Sequence, residues 1–225
     1  MDATARLRLF QLVSPALPVG AFSYSEGLEL LVHQGLLADG AALEAWLEAE
    51  LQRGAVAIEA AALAPLLEAW RLWRQGDADA SAVESLDGWL LAQREAPELR
   101  AQQRQMGQSL LQLLADLGWP LPGPAGLLAW PAAFAWAALC LEIESPALEE
   151  AYLYGWVANQ ISAAVRLVPL GPTQGQRLQL CLAPRLAALA ARLADVEPQQ
   201  LWSGGVGAGL AQLQHGELYS RLFRS

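Results

Sequence analysis

The chain has 225 residues, of which 54% are apolar and only 16% are charged, and its formal net charge is −9. So acidic a protein binds the phosphate backbone poorly, which argues against nucleic acid as a partner. All fourteen basic residues are arginines, which removes lysine-dependent chemistry such as the P-loop, the Schiff base and pyridoxal phosphate catalysis. With so few charges to cover the surface, we expect apolar patches that partner proteins cover.

Alanine and leucine dominate the composition, and apolar residues recur at helical spacing in most segments. We therefore predict an all-α fold, a single-domain bundle of about eight to ten helices with a flexible C-terminal tail. Residues 1–202 are predicted to form the helical domain. Residues 203–225 are predicted to form a glycine-rich hinge and a C-terminal partner-binding tail, because SGGVGAG at 203–209 is unlike a packed helix.

In chain order, a first helix is predicted over residues 5–13 and is followed by a turn with the sequence SPALPVGAFSYSEGLE. Within that turn Ser23 and Glu26 fit a capping box, which predicts a second helix over residues 24–36. The remaining predicted helices cover residues 41–73 with breaks near Gly54 and Pro65, 79–94, 97–117, 125–141, 146–168 and 173–194.

The segment 125–141 carries no charge and contains Pro131. A bilayer requires about 20 apolar residues, so we predict a buried central helix, with a membrane-associated protein built on residues 117–141 as the alternative. We find no secretory signal and expect a cytoplasmic protein. Cys140 and Cys181 lie in apolar helical surroundings, which predicts buried, reduced thiols.

No residue pattern typical of an active site is apparent. The histidines, His33 and His215, are far apart, and no Cys or His pair has metal-ligand spacing. The glycines at 204–209 lack the strand and the lysine of a phosphate loop, and the tryptophans fall on apolar helix faces typical of a core. We expect no catalytic residue, cofactor or metal, and favour a binding or assembly protein. The alternative is a helical small-ligand carrier or an enzyme with an apolar interior pocket.

Four segments, in order along the chain, resemble the urease accessory protein F family, a component of the urease nickel-insertion chaperone. They are the turn SPALPVGAFSYSEGLE, the stretch ELRAQQRQMGQSL at 98–110, the stretch 152–176 with its NQ, RLVPL and GQ elements, and the ending YSRLFRS. The chain departs from the family pattern after His215, where Gly216 stands in place of glutamate and the acid follows as Glu217.

The resemblance implies an all-helical homodimer without catalytic residues of its own. Proteins of this family bind urease accessory protein D, called H in some organisms, and recruit the GTPase urease accessory protein G. The assembly delivers nickel to apo-urease, and GTP hydrolysis belongs to the partner. For this chain the resemblance implies a chaperone or scaffold in urease maturation that bridges the D/H-type and G-type proteins, with gating of GTP hydrolysis and simple tethering as alternatives.

The tail is the first candidate for partner contact. Its apolar residues form a stripe flanked by Arg221 and Arg224, typical of a segment that becomes ordered on a partner, although packing on its own domain is an alternative. We expect the turn and the tail to lie on one partner-facing surface. Phe22 and Tyr24 are its candidate aromatic anchors, with core packing as the alternative.

Arginines are the second candidates, since they are enriched at interfaces and bind carboxylates with two hydrogen bonds. Arg100, Arg104 and Arg166 are predicted at the dimer or GTPase-facing surface, with solvated helix faces or internal pairs as the alternative. The predicted partner-binding residues are Phe22, Tyr24, Glu26, Arg100, Arg104, Arg166, His215, Tyr219, Arg221, Leu222 and Phe223.

Overall fold

The structure is a computed structural model that describes residues 2–225. Over this range it contains eleven α-helices, two short 3₁₀ helices and no strand, which confirms the predicted all-α, single-domain fold. The α-helices are α1 (Ala3–Leu12), α2 (Leu28–His33), α3 (Gly40–Arg53), α4 (Ala55–Ala61), α5 (Leu63–Gln75), α6 (Ser81–Ala92), α7 (Pro97–Asp116), α8 (Trp130–Leu141), α9 (Ala147–Leu167), α10 (Pro172–Leu193) and α11 (Val206–His215). The 3₁₀ helices are Ala21–Ser23 and Pro198–Gln200.

Helix α8 forms the centre of the bundle. Every residue from Pro131 to Leu141 is buried, and α1, α5, α6, α7 and α9 pack against it. An uncharged helix has no face suited to water, so enclosure by other helices is its stable position. Within residues 2–225 we find no helix whose length and apolar character would let it cross a bilayer.

Tryptophans fill the space between α5 and α8, as their positions on apolar helix faces predicted. The ring centres of Trp70 and Trp73 are 5.2 Å apart, and those of Trp70 and Trp136 are 5.0 Å apart. Trp70 is fully buried, and its indole Nε1 donates to the Ala132 carbonyl over 2.8 Å. The rings therefore add apolar area to the core without leaving the Trp70 indole N–H unpaired.

The stretch 41–73 is divided into three helices. The predicted break at Gly54 is confirmed, since this residue separates α3 from α4. The second break falls at Ala62, three residues before Pro65. Proline lacks an amide hydrogen, and in the first turn of α5 that hydrogen has no intrahelical acceptor, so the helix begins just ahead of the proline.

The predicted capping box at Ser23 and Glu26 is wrong. Glu26 and Gly27 have φ angles of 53° and 85°, which are left-handed and delay the start of α2 to Leu28. Ser23 instead ends a 3₁₀ helix. Because the Glu26 side chain is directed into the interior, it does not return to the Ser23 amide.

Two further expectations need correction. Cys140 is buried and reduced as predicted, but Cys181 is exposed on α10. Residues 206–215, which include two glycines of the predicted hinge, form α11, and α11 packs against α2 and α7. A Cβ at Gly27 would lie 2.9 Å from the Gln212 amide nitrogen, so glycine permits the close approach of α2 and α11.

A second close approach occurs at Gly107 of α7. A Cβ there would lie 2.5 Å from the Leu128 carbonyl oxygen and 2.6 Å from the Ala129 carbonyl carbon. We expect Gly107→Ala to lower the free energy of unfolding by about 1–3 kcal/mol, because backbone atoms must move apart. Urea denaturation measures the change. Gly155→Ala in α9 is the matched control: its Cβ meets no atom within 4 Å, so it should stabilise by about 0.5–1 kcal/mol. Equal effects of the two substitutions would contradict the prediction.

Candidate functional site

The structure brings the N-terminal turn and the C-terminal tail together. The Arg224 amide donates to the Ser23 carbonyl over 2.9 Å, and the Ser25 amide donates to the Ser225 carbonyl over 2.8 Å. The Ser25 hydroxyl reaches the same Ser225 oxygen at 2.7 Å. We call residues 20–29 and 215–225, with the side chains of α7 and α9 that contact them, the turn–tail surface.

Glu29 on α2 fixes the tail in this position. Its Oε1 accepts the Leu222 amide at 2.6 Å, and its Oε2 accepts the Phe223 amide at 3.1 Å. The same Oε2 lies 3.0 Å from Nε2 of His215. Burial alone would raise the pKa of Glu29, but these hydrogen bonds outweigh it, and the pKa of Glu29 lies below its ordinary value. A charged carboxylate therefore holds two tail amides.

His215 connects this carboxylate to α7. The ring is completely buried, with Nδ1 3.5 Å from Oε2 of Glu98 on the side opposite Glu29. Arg221 of the tail donates to the other oxygen of Glu98 over 2.6 Å. The histidine predicted from the C-terminal motif thus lies beneath the surface, where it couples the end of α11 to both α2 and α7.

Arg166 of α9 closes the other side of the tail. Its guanidinium carbon lies 4.6 Å from the ring centre of Phe223, a cation–π distance, and its NH1 donates to the Phe22 carbonyl over 3.4 Å. Phe223 is buried, whereas Phe22 is 69% exposed, Leu222 is 53% exposed and Tyr219 is fully exposed. The outer layer of the turn–tail surface is therefore apolar, with arginines beside it.

Two of the predicted partner-binding residues lie below this outer layer. Tyr24 is only 4% exposed, and its hydroxyl donates to Oε1 of Gln105 over 3.0 Å. Glu26 is buried, accepting from Nε2 of Gln102 at 3.0 Å and from Nε1 of Trp156 at 3.2 Å. In this arrangement both residues support the surface from inside, and the core alternative holds for Tyr24 but not for Phe22.

Arg100 and Arg104 do not reach the turn–tail surface. Each is two residues from Gln102, which places it roughly 160° around α7 from that residue. Arg100 donates to the carbonyls of Arg94 and Glu95, and Arg104 donates to the Leu127 carbonyl. Both guanidinium groups therefore hold loop backbone, and Arg166 alone of the three predicted arginines joins the turn and the tail.

A buried ion pair lies under the site. Arg94 is 4% exposed and donates from Nε and NH2 to Oε1 of Glu59, over 2.9 and 2.6 Å. The Tyr152 hydroxyl donates to the other oxygen of Glu59 over 2.8 Å, and Glu26 lies 3.9 Å from Arg94. Burial raises the pKa of Glu59, while Arg94 and the hydrogen bonds oppose that rise. Glu26 thus links the ion pair to the turn.

An exposed apolar ridge runs along the outer side of α11, the helix that leads into the tail. Three of its members lie in α11 at intervals of four and three residues, which places them on one helix face. The fourth lies in the segment just before the helix. Ala208, Ala211 and His215 on the opposite face are buried. Sequence reasoning missed this ridge, because it assigned the segment to a hinge. The α11 ridge consists of Trp202, Val206, Leu210 and Leu213, which are 89%, 70%, 52% and 44% exposed.

Glu50 lies under the start of α11. A Cβ at Gly205 would lie 3.3 Å from its Oε1, and a Cβ at Gly54 would overlap its Oε2. Burial raises the pKa of Glu50 to about 7, and Glu26 adds to the rise while Arg94 and Arg53 oppose it. Two glycines therefore enclose a carboxyl group that is only partly ionised at neutral pH.

This enclosure predicts a pH dependence of stability. The pKa of Glu50 is higher in the folded chain than in the unfolded chain. The contribution of Glu50 to the free energy of unfolding is therefore fully present below about pH 4.5 and is lost as the pH rises through about 7. Glu50→Gln should therefore stabilise the protein by about 1–2 kcal/mol at pH 8, after allowance for solvent screening, and change little at pH 5. Thermal denaturation at both pH values measures the difference, and Glu217→Gln on the exposed tail is the control. A gain that is equal at the two pH values would contradict the prediction.

Within residues 2–225, no three His, Cys, Asp or Glu side chains group in a way that could hold a metal ion. The turn–tail surface presents exposed apolar side chains with arginines beside them. These are the materials of protein recognition.

Comparison with known proteins gives a consistent result. The UreF family model matches residues 37–183. The chain is 42% identical over 224 residues to the urease accessory protein UreF of Alkalilimnicola ehrlichii, with 98% of this chain and 96% of the relative covered. It is 40% identical over 225 residues to the protein of that name from Microcystis aeruginosa, with both chains covered completely. A UreF protein of Prochlorococcus marinus is 34% identical over 225 residues, with 98% and 99% covered.

Proposed function

Because the chain belongs to the UreF family of urease accessory proteins, we propose that it is a non-catalytic scaffold for urease maturation. In this role it bridges the D/H-type accessory protein and the G-type GTPase while nickel is inserted into apo-urease. It works as a cytoplasmic homodimer. The observation that carries the proposal is the turn–tail surface, where exposed apolar side chains are fixed from inside by a network of hydrogen bonds and charges.

We assign the α11 ridge and the outer layer of the turn–tail surface to the D/H-type protein. Large apolar side chains that are 44–89% exposed, along one side of α11 and the segment just before it, are costly for a monomer in water and favour a partner that covers them. The ridge leads directly into the tail, so one partner can cover both. Phe22, Tyr219 and Leu222 would supply apolar contact area, and Arg166 and Arg221 would supply charge at its edge.

The remaining predicted residues take supporting or separate roles. Tyr24, Glu26, His215 and Phe223 are buried and support the docking surface from beneath. Arg100 and Arg104, on the other side of α7, remain our candidates for contact with the G-type protein or with the second copy of the chain.

Deletion of residues 213–225 tests the assignment of the tail. We expect the shortened chain to lose capture of the D/H-type protein in a pull-down of purified components, and to fail to support activation of apo-urease. The double substitution Tyr219→Ser/Leu222→Ser changes only exposed side chains, so it should weaken capture while the melting temperature stays unchanged. Undiminished capture by the deletion variant would exclude the tail from the interface.

A further inference from the structure

Helix α10 has an unusual charge for this protein. Its 22 residues, Pro172–Leu193, include three arginines and no acidic residue, in a chain whose net charge is −9. The arginines are Arg177, Arg185 and Arg192, and their spacing of eight and seven residues places them within about 80° of one another around the helix. One side of α10 is therefore a positive stripe on an acidic molecule.

This stripe borders two shallow grooves that follow one another between α3 and α10. The larger has a volume of about 380 Å³ and the smaller of about 240 Å³. Leu51 and Leu189 lie in the first, and Leu170 and Leu178 lie in the second. Each groove therefore has an apolar floor and could take the apolar side chains of a second helix, which is a common way for proteins to recognise helices.

The three arginines are not equivalent. Arg185 lines the larger groove and pairs with Glu48 of α3, with Glu44 at 3.7 Å. Arg177 and Arg192 are exposed, and neither has a carboxylate partner among residues 2–225. They are 15 residues apart, which is about 22 Å along a helix. One arginine without a carboxylate partner thus lines each groove.

We propose that the α3–α10 grooves bind an amphipathic helix of a partner protein whose apolar side chains fill the grooves and whose carboxylates pair with Arg177 and Arg192. The geometry specifies that helix: an apolar stripe in the middle and acidic residues about 15 positions apart. This surface lies outside the turn–tail surface and the α11 ridge, so the inference does not depend on the proposed function of those regions.

Two synthetic peptides test the proposal with the full-length chain. Each is a 22-residue helix with leucine at every third or fourth position. One peptide carries two glutamates 15 positions apart, one near each end, and the other carries glutamine at the same two positions. Fluorescence anisotropy should show saturable, salt-sensitive binding of the glutamate peptide. Arg177→Gln/Arg192→Gln should weaken that binding by about 3- to 10-fold. Arg6→Gln/Arg74→Gln, which changes two exposed arginines outside α10, should leave it unchanged.

Other outcomes would overturn the proposal. Equal affinity for the two peptides, or no saturable binding of the glutamate peptide, would show that the grooves do not select an acidic helix. A second copy of the chain is the other possible occupant. Light scattering of Arg177→Gln/Arg192→Gln would reveal it as a fall in oligomeric state relative to the control variant, and that result would replace the partner helix by a dimer contact.

Discussion

Replacing Arg94 by alanine should lower the free energy of unfolding by about 3–5 kcal/mol, the largest effect we expect from a single substitution. Arg94 is 4% exposed and holds Oε1 of Glu59 through two hydrogen bonds, with Glu26 at 3.9 Å. Its removal leaves two carboxylates buried without a counter-charge, and water cannot replace the guanidinium at this depth. Urea denaturation at pH 7.5 measures the loss.

The pH dependence of this loss identifies its cause. Burial already raises the pKa of Glu59, and without Arg94 this pKa should rise further. The variant should therefore be most stable below the ordinary carboxyl pKa and should lose stability as the pH increases. The deficit of Arg94→Ala should therefore shrink between pH 8 and pH 5. Arg94→Met/Glu59→Gln, which removes the arginine and one of the two carboxylates, should recover part of the stability.

Arg74→Ala is the matched control, because Arg74 is exposed and its replacement should change stability by no more than about 0.5 kcal/mol. A deficit of Arg94→Ala below about 1 kcal/mol, or a deficit that does not depend on pH, would show that the carboxylates find other partners or that water enters the network.

Sequence patterns predicted those helices whose limits depend on neighbouring residues, such as α7 and α9. Pro97 begins α7 and Pro146 precedes α9, and both helices match their predicted ranges within about two residues. Their apolar positions repeat at helical spacing, so the residues of each helix are sufficient to specify it. The uncharged composition of α8 likewise predicted its central position, since only burial suits a helix without a polar face.

Contacts between distant residues account for what sequence reasoning missed. Ser23 and Glu26 match a capping box, but Glu26 bonds to Gln102 and Trp156, 76 and 130 residues away, and no local pattern contains those partners. The glycines of 203–209 favour a hinge when considered alone, whereas the fit of α11 against Gly27 requires the folded position of α2. No local pattern around Glu29 predicts its role in holding the tail, because that role depends on amides almost 200 residues later.

Glu29→Ala should release the tail, and this is the second large effect that we expect. The substitution leaves the Leu222 and Phe223 amides and the His215 ring without their common acceptor, and each buried donor left unpaired costs about 1–3 kcal/mol. Hydrogen exchange of residues 216–225 should become at least tenfold faster, a change of about 1.4 kcal/mol in local opening. Glu217→Ala changes an exposed acid of the same tail and should leave exchange unaltered.

The charge of Glu29 gives this prediction a second measurement. Because its pKa is lowered in the folded chain, it stabilises the tail above the ordinary carboxyl pKa, and the stabilisation is lost as the pH falls through the lowered value. Glu29→Gln keeps the side-chain volume but not the charge, so its tail should exchange faster than that of the unaltered chain at pH 7, and the difference should narrow at acidic pH. A difference that stays constant as the pH falls would assign the effect to packing.

Release of the tail also separates two ways in which this surface could bind a partner. If the D/H-type protein recognises the tail in the position described here, Glu29→Ala should weaken its binding at least tenfold, because the exposed Phe22 and Leu222 are no longer held together. If the partner instead captures a free tail, the same substitution should leave binding unchanged or strengthen it, because the cost of detaching the tail has already been removed. The hydrogen bonds from Glu29 to the tail backbone favour the first result, since they fix residues 222 and 223 without using any exposed side chain.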